Sequence, residues 1–390
     1  MRCSAAAATV LWASLSFANP LAKLRRRAAL DDCLKAAAVP TDAKGSTDWA
    51  ADSAPFNQRL PYTPAAIAVP TSVAHVQAAV SCAAGAGIKV SPKGGGHSYA
   101  SFGLGGEDGH LVIELDRMYQ VTLDTATNIA TVQSGTRLGH ALTALWTQGK
   151  RAFSHGTCAG CVQSKLCKSR LTWYSVGVAG HALHGGFGFS SHKYGLALDW
   201  MTGATVVLAN ATVVDCSATQ NPDLFWALRG AGSSFGVVTS FKFNTFAPPA
   251  NVTVFTINLP WDSVADTVSG WTSLQTYVQN TMPSDMNMRI MINSFIAQIQ
   301  GLWYGDAASL QTAAVPLLAA IGNGAALSGV QTSDWMGGFA AYANGETVDV
   351  SVPYNHVSVV KNWSNEFLHL SSKKTSFLSL SPPQLFLLPR

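Results

Sequence analysis

Two glycine-dense runs, each carrying histidine, limit what this chain can fold into. Lys93-Gly94-Gly95-Gly96-His97-Ser98-Tyr99 follows directly on the apolar stretch Ile88-Lys89-Val90. Farther along stands Val176-Gly177-Val178-Ala179-Gly180-His181-Ala182-Leu183-His184-Gly185-Gly186-Phe187-Gly188. Consecutive glycines after a strand let the backbone approach a ligand and turn successive N–H groups toward an anion such as a pyrophosphate. Taken alone, the first run also fits a plain glycine turn beside an incidental histidine. The second run, preceded by Gly156-Thr157-Cys158-Ala159-Gly160, adds a thiol and two further histidines. Neither has the strand, G-x-G-x-x-G, helix and acidic-residue order of a nicotinamide-binding unit, which leaves a dinucleotide held by another fold.

The stretches between these runs alternate helix and strand. Thr71 or Ser72 caps a predicted helix with Val73, Val76 and Val80 on one face, closed by Gly85 and Gly87. Strands are predicted at Ile88–Val90, Leu111–Leu115, Gln120–Leu123, Ile129–Gln133 and Val237–Phe243, with a hairpin over Ala204–Val214 turning near Asn210. Arg137–Gln148 has the spacing of an amphipathic helix, and another follows Asn221 with Leu224, Phe225 and Leu228. Pro248-Pro249 marks a boundary, beyond which strand-like Val252–Asn258 and Met288–Ile299 alternate with helical Ser309–Ile321. The class is α+β in two domains divided near residue 248.

With 48% apolar and 12% charged residues over 390 positions, the chain carries large cores and is not disordered, collagenous, a coiled coil or a disulfide miniprotein. The formal charge of +4 rests on Arg2, Lys23, Arg25, Arg26 and Arg27, and becomes −1 without them. No nucleic-acid surface is expected. Arg2, the apolar run from Ala5 to Phe17 and the small residues of Ser16-Phe17-Ala18 predict a secretory signal over 1–18. The run is short for a membrane span and meets Pro20, so no membrane anchor is expected. Leu24-Arg25-Arg26-Arg27 offers a propeptide site, and the sequons at Asn210, Asn251 and Asn362 suit an extracellular chain.

Residues 60–247 resemble the PCMH-type flavin domain of the vanillyl-alcohol-oxidase superfamily, its berberine-bridge-enzyme-like group, and within it fungal glucooligosaccharide oxidases. The resemblance rests on the runs at 94–99, 156–158 and 176–188, on His192-Lys193-Tyr194-Gly195, on Asp223-Leu224-Phe225-Trp226-Ala227-Leu228-Arg229-Gly230, and on Phe235-Gly236-Val237-Val238-Thr239. It implies two α+β subdomains binding FAD, followed by an antiparallel-sheet substrate domain over 248–370. It implies FAD joined to His97 through the 8α methyl and to Cys158 through C6. By the same likeness Gly94, Gly95, Gly96 and Ser98 hold the pyrophosphate, Val176, Gly177 and Gly180 face the flavin, and Gly236, Val237 and Val238 lie near the adenine end. His181 resembles the histidine near the N1/C2 edge, where positive charge or a donor stabilises reduced flavin; as a residue alone it equally fits a buried structural histidine. Tyr99 resembles a tyrosine lining a sugar site, and as a residue alone fits ordinary packing. Among seven cysteines, the likeness pairs Cys33 with Cys82 in the 19–59 segment and leaves Cys161, Cys167 and Cys216 without a role.

Two departures stand out. Cys161–Ser175, CVQSKLCKSRLTWYS, interrupts the family's second motif, and its removal joins Gly160 to Val176 and restores it. A retained intron of 45 nucleotides explains this better than a surface loop, and Cys161 and Cys167 are no evidence for a metal. The substrate domain is expected to be incomplete, because Ser371–Arg390 has no helical or alternating pattern. The catalytic base is therefore unassigned, and nothing licenses giving that role to Tyr354 or His356. The resemblance implies a secreted, monomeric oxidase taking hydride from the anomeric carbon of a sugar or oligosaccharide and passing electrons to O2, which yields H2O2. The alternatives are an oxidase of a small secondary metabolite and an inactive flavin-binding product.

Overall fold

The computed structural model describes residues 20–156, 176–292, 297–342 and 348–349. The expectations for 1–18, Cys158, 161–175, Tyr354, His356, Asn362 and 371–390 lie outside these residues. The first subdomain contains α1 (Pro20–Ala36), α2 (Thr47–Asp52), β1 (Ala66–Ala68), α3 (Val73–Ala86), β2 (Val90–Lys93) and β3 (Leu111–Glu114). Its strands form a parallel sheet in the order β1-β3-β2. Ser72 caps α3 by accepting the His75 N–H, and Gly87 ends the helix at φ +64, a left-handed value that a side chain disfavours. Val76, Ala79, Val80 and Ala83 form the buried stripe of α3, against which Leu30 and Leu34 of α1 pack. A disulfide joins Cys33 to Cys82 and ties α1 to α3, and the basic run 25–27 lies inside α1.

The second subdomain runs through β4 (Val121–Asp124), β5 (Ile129–Gln133), α4 (Leu138–Gly149), α5 (Val178–Ala182), α6 (Ser191–Tyr194), β6 (Met201–Val207), β7 (Val213–Ser217), α7 (Pro222–Ala231) and β8 (Val237–Asn244). Its antiparallel sheet has the order β4-β5-β8-β6-β7. Along β8, Phe241 and Phe243 reach the core beneath α4 and α5 by alternation, and a register shift between Val238 and Ser240 brings Val238 to the same core, whereas Val237 joins the core of the first subdomain. Val207 of β6 lies in that core too, so β6 and β8 together fasten the two subdomains.

The third unit comprises β9 (Val252–Asn258), α8 (Val264–Asn280), β10 (Met286–Ile292), β11 (Ala297–Trp303), α9 (Ala307–Ala313), α10 (Val315–Ile321), β12 (Ser328–Ser333) and α11 (Trp335–Tyr342). Its antiparallel sheet runs β10-β11-β9-β12. Three expectations are corrected here. The strand expected over Met288–Ile299 is a hairpin, with Met286 opposite Trp303 and Ile292 opposite Ala297. The helix expected over Ser309–Ile321 is two, because Pro316 has no N–H to continue the first and sits instead in the opening turn of α10. The strand expected at Ile88–Val90 begins at Val90 and extends to Lys93, so it delivers the chain straight into the glycine loop. The third unit docks through Phe189, one residue past the second glycine run, which packs on Trp335 and Phe339 and whose carbonyl accepts from Tyr304 and Asn287.

Candidate active site

The two glycine runs meet backbone to backbone. A Cβ on Gly95 would lie 2.9 Å from the Gly177 Cα, and one on Gly177 would lie 2.8 Å from the Gly95 Cα. Real Cβ contacts are not that short, so the packing of β2's exit against the start of α5 requires glycine on both sides. The site of a Cβ on Gly94 is 3.3 Å from the Ser134 carbonyl oxygen and 3.6 Å from the Ala179 Cβ, whereas nothing stands within 4 Å of one on Gly180. The structure thus gathers Gly94, Gly95, Val176, Gly177, Ala179 and the open face at Gly180.

His97 leaves this loop with its ring centroid 4.8 Å from that of Phe56, and Tyr99 makes a T-shaped contact with the same phenylalanine at 5.1 Å between centroids. Burial, with the Arg137 guanidinium beside it, lowers the His97 pKa to about 4, so the imidazole is neutral. Ser98 is committed locally: its hydroxyl accepts the Phe102 N–H at 3.1 Å. Tyr99 is 77% exposed, with its carbonyl held by Asn57 at 2.8 Å. The ring is therefore no part of a core.

His181 lies across the junction, on α5. Its Nε2 accepts the Gly156 N–H at 2.9 Å, and burial, then His155, lowers its pKa to about 4. His184, three residues on, faces outward and bonds the Gly180 carbonyl and Ser233. Gly236, Val237 and Val238 connect to the loop at Gly94 through Thr239, whose carbonyl accepts the Ser134 N–H at 3.1 Å. Both valine side chains belong to cores, so only backbone at this point is free to meet a ligand.

Sequence reasoning passed over the groups under the loop. Lys93 is buried with its ammonium on Glu114 and on the Asp52 carbonyl at 2.9 Å, and its stem supports Gly96 and Gly103. Burial disfavours the charge on Lys93, but Glu114 and Asp52 outweigh it and raise its pKa. Burial pushes Glu114 up to about 8 against the pull of Lys93, and burial with Asp52 pushes Asp42 up to about 7. Ser134, Thr136 and Arg137 follow β5 in a second strand-to-glycine turn, Gln133-Ser134-Gly135-Thr136-Arg137, a signal available in the sequence and left unused.

A dinucleotide fits these residues on the evidence of their polar atoms. The buried hydroxyls of Ser134 and Thr136 have no hydrogen-bond partner among the described residues, and Ser134 lies against Gly94. Such orphaned groups call for a ligand or water. No cluster able to hold a metal ion occurs among the described residues, and no helix there is long and apolar enough to cross a membrane.

The family model for an FAD binding domain matches residues 64–164. A xylooligosaccharide oxidase of Thermothelomyces thermophilus is 60% identical over 329 residues, covering 84% of this chain and 63% of the relative. A carbohydrate oxidase of Microdochium nivale is 42% identical over 350 residues, covering 89% of this chain and 67% of the relative. The solved glucooligosaccharide oxidase of Acremonium strictum, described as holding a 6-S-cysteinyl, 8α-N1-histidyl FAD, superposes with a TM-score of 0.77 at 43% identity over 84% of this chain and 65% of its own. The chain thus spans a little under two thirds of the first of these relatives.

Proposed function

The chain belongs to the berberine-bridge-enzyme-like group of FAD-linked oxidases in the vanillyl-alcohol-oxidase superfamily, and from that premise we propose that it is an extracellular oligosaccharide oxidase. The observation that carries the reading is the interlock of Gly94 and Gly95 with Val176 and Gly177, with neutral His97 at one end and neutral His181 at the other. FAD, when bound, supplies the two-electron acceptor that O2 regenerates with release of H2O2. His97 and Cys158 hold it covalently. A neutral imidazole suits His97, because only an unprotonated nitrogen has the lone pair that forms such a bond. The backbone of Gly94, Gly95 and Gly96, with Ser134 and Thr136 beneath, receives the pyrophosphate. Ser98 contributes backbone, and the start of β8 at Gly236, Val237 and Val238 receives the adenine end.

Tyr99 forms one wall of the substrate mouth, where an aromatic face suits the apolar face of a pyranose. The donor is the anomeric CH–OH of a reducing sugar, oxidised to the lactone by loss of hydride from carbon and of a proton from the hydroxyl. Identity to the xylooligosaccharide oxidase, 60% against 43% for the solved glucooligosaccharide oxidase, favours xylose units. The test uses purified full chain: an acid-precipitated pellet that stays yellow, and O2 consumption that is faster with xylobiose than with cellobiose. A colourless pellet rejects the covalent flavin, and equal rates reject the xylose preference.

A further inference from the structure

A short strap spans the first glycine run. It starts at Asp52, the last residue of α2, whose carbonyl accepts from the Lys93 ammonium at 2.9 Å and whose carboxylate oxygen lies 3.4 Å from the same nitrogen. It ends at Asn57, whose amide Nδ2 donates to the Tyr99 carbonyl at 2.8 Å while Oδ1 accepts the Arg59 N–H at 3.2 Å. Lys93 precedes Gly94 and Tyr99 follows Ser98, so the strap is tied at both ends of the loop that carries His97. Its root is firm. The Asp52 and Lys93 side chains are 3% and 11% exposed, and breaking a buried pair of that kind would strand an uncompensated charge. Trp49, one turn before Asp52, is anchored in the core formed by Ile67, Val69, Leu104 and Val112.

Phe56 lies between those ties. Its half-buried ring meets the His97 imidazole in a tilted stack, 4.8 Å between centroids with the planes 30° apart, and meets Tyr99 nearly at right angles, 5.1 Å between centroids and 79°. Aromatic pairs favour both geometries. One phenyl ring therefore serves two neighbours, and the imidazole has a flat face laid against it. Rotation about the Cβ–Cγ bond of His97 would lift the imidazole out of that stack, so the contact holds its plane.

We infer that Phe56 is a positioning residue for the bond between His97 and FAD: held over the glycine loop by the strap, its ring fixes the plane of the imidazole that makes the bond. The inference rests on the flavin reading above. The plane matters because the lone pair of an imidazole nitrogen lies in it. In the bond-forming step a C–H bond of the 8α methyl breaks and leaves its electron pair on the isoalloxazine, and the nitrogen lone pair makes the new C–N bond. The methyl and imidazole protons released match the two taken up by the reduced ring, from which O2 then removes two electrons and two protons as H2O2. A ring that turns points its lone pair at the methyl carbon for only part of the time, and misalignment of reacting atoms slows a reaction steeply.

The test uses full chain carrying Cys158→Ala, in which the histidyl bond is the one covalent link, purified from riboflavin-starved cells and mixed with FAD. Intact mass and fluorescence of the denatured protein follow the bond, and quenching of flavin fluorescence follows binding before it. Phe56→Leu keeps apolar bulk without a flat face, and should slow the bond roughly tenfold or more while FAD binds at unchanged concentration. Phe56→Tyr, which restores the face, should restore the rate. A Phe56→Leu chain that bonds FAD as fast as one with Phe56 overturns the proposal, and so does a Phe56→Tyr chain as slow as Phe56→Leu. Loss of FAD binding in step with the bond also overturns it, because that is the mark of a general structural role. Absence of the histidyl bond while Phe56 is intact would sink the flavin reading of the preceding subsection instead.

Discussion

Gly95 and Gly177, eighty-two positions apart, occupy each other's side-chain space: each would drive a Cβ to within 3 Å of the other's Cα. The pyrophosphate loop and the first turn of α5 are therefore one packed unit.

Alanine at either position should cost about 1–3 kcal/mol, the usual range for overpacking, and should abolish flavin loading. Gly180→Ala makes the contrast. Its Cβ would meet nothing within 4 Å inside α5, so alanine should leave the melting temperature unchanged or slightly raised. If flavin covers Gly180, the same variant still loses cofactor. Melting curves paired with the ratio of flavin to protein separate the two effects, and a Gly95→Ala protein that melts like wild type would contradict the packing argument.

Much of the frame was legible because local chemistry and tertiary packing agree there. Ser72, the valine stripe and Gly87 announce α3, and β5 and β9 fall on the residues that alternation assigns to them. The errors come where one local signal hides another. Apolar residues continue through the Met286–Trp303 hairpin and conceal its turn, and Pro316 opens a helix where the periodicity suggests only continuation. Within the candidate site, glycine and histidine are conspicuous in sequence, which is why the sequence points to His97 and His181. Lys93, Asp52 and Glu114 were not assigned a role, because a buried ion cluster is assembled from three separate elements and leaves no periodic trace. The direct bond between Gly156 and His181 was equally invisible, since a backbone N–H has no sequence signature.

Covalent attachment through both His97 and Cys158 makes a distinct pattern. Single variants His97→Ala and Cys158→Ala should each keep flavin after denaturation, and only the double variant should release it. Flavin fluorescence of the denatured band and intact mass check this. Release from either single variant would mean that one bond carries the cofactor alone.

Stability should peak in mildly acidic solution. His97, His155 and His181 have folded pKa values near 4, below the unfolded value of about 6.5. Their contribution is complete above pH 6.5 and is lost as pH falls toward 4. Glu114 and Asp42 act in the opposite sense, with folded values of about 8 and about 7. The folded state binds more protons than the unfolded chain between their two pKa values, so their contribution is lost as pH rises through 7 and 8. Each group changes stability by at most about 1.4 kcal/mol per pH unit. Glu114→Gln should therefore flatten the decline between pH 6.5 and pH 8 and, by removing the same opposing slope, steepen the rise between pH 4.5 and pH 6.5. Denaturant melts across this range decide it, and an unchanged alkaline slope would remove Glu114 from the account.

The last prediction concerns Cys161–Ser175. The residues that flank the undescribed stretch 157–175 return to a single side chain and its amide: the Leu138 N–H donates to the Val176 carbonyl at 3.1 Å, and the Leu138 Cδ1 stands 3.4 Å from the Cβ site of Gly156. Chain ends held so close need only a short connection, and Thr157–Gly160 supplies one. The fifteen residues in question add Lys165, Lys168 and Arg170, whose burial beside a flavin would be costly without partners. Deleting 161–175 should leave the core around Leu138 intact and raise both soluble yield and flavin content, with the shorter transcript dominant in the source cells. Full flavin loading of the long chain, together with transcripts that all retain the 45 nucleotides, would instead make the segment a genuine part of the protein.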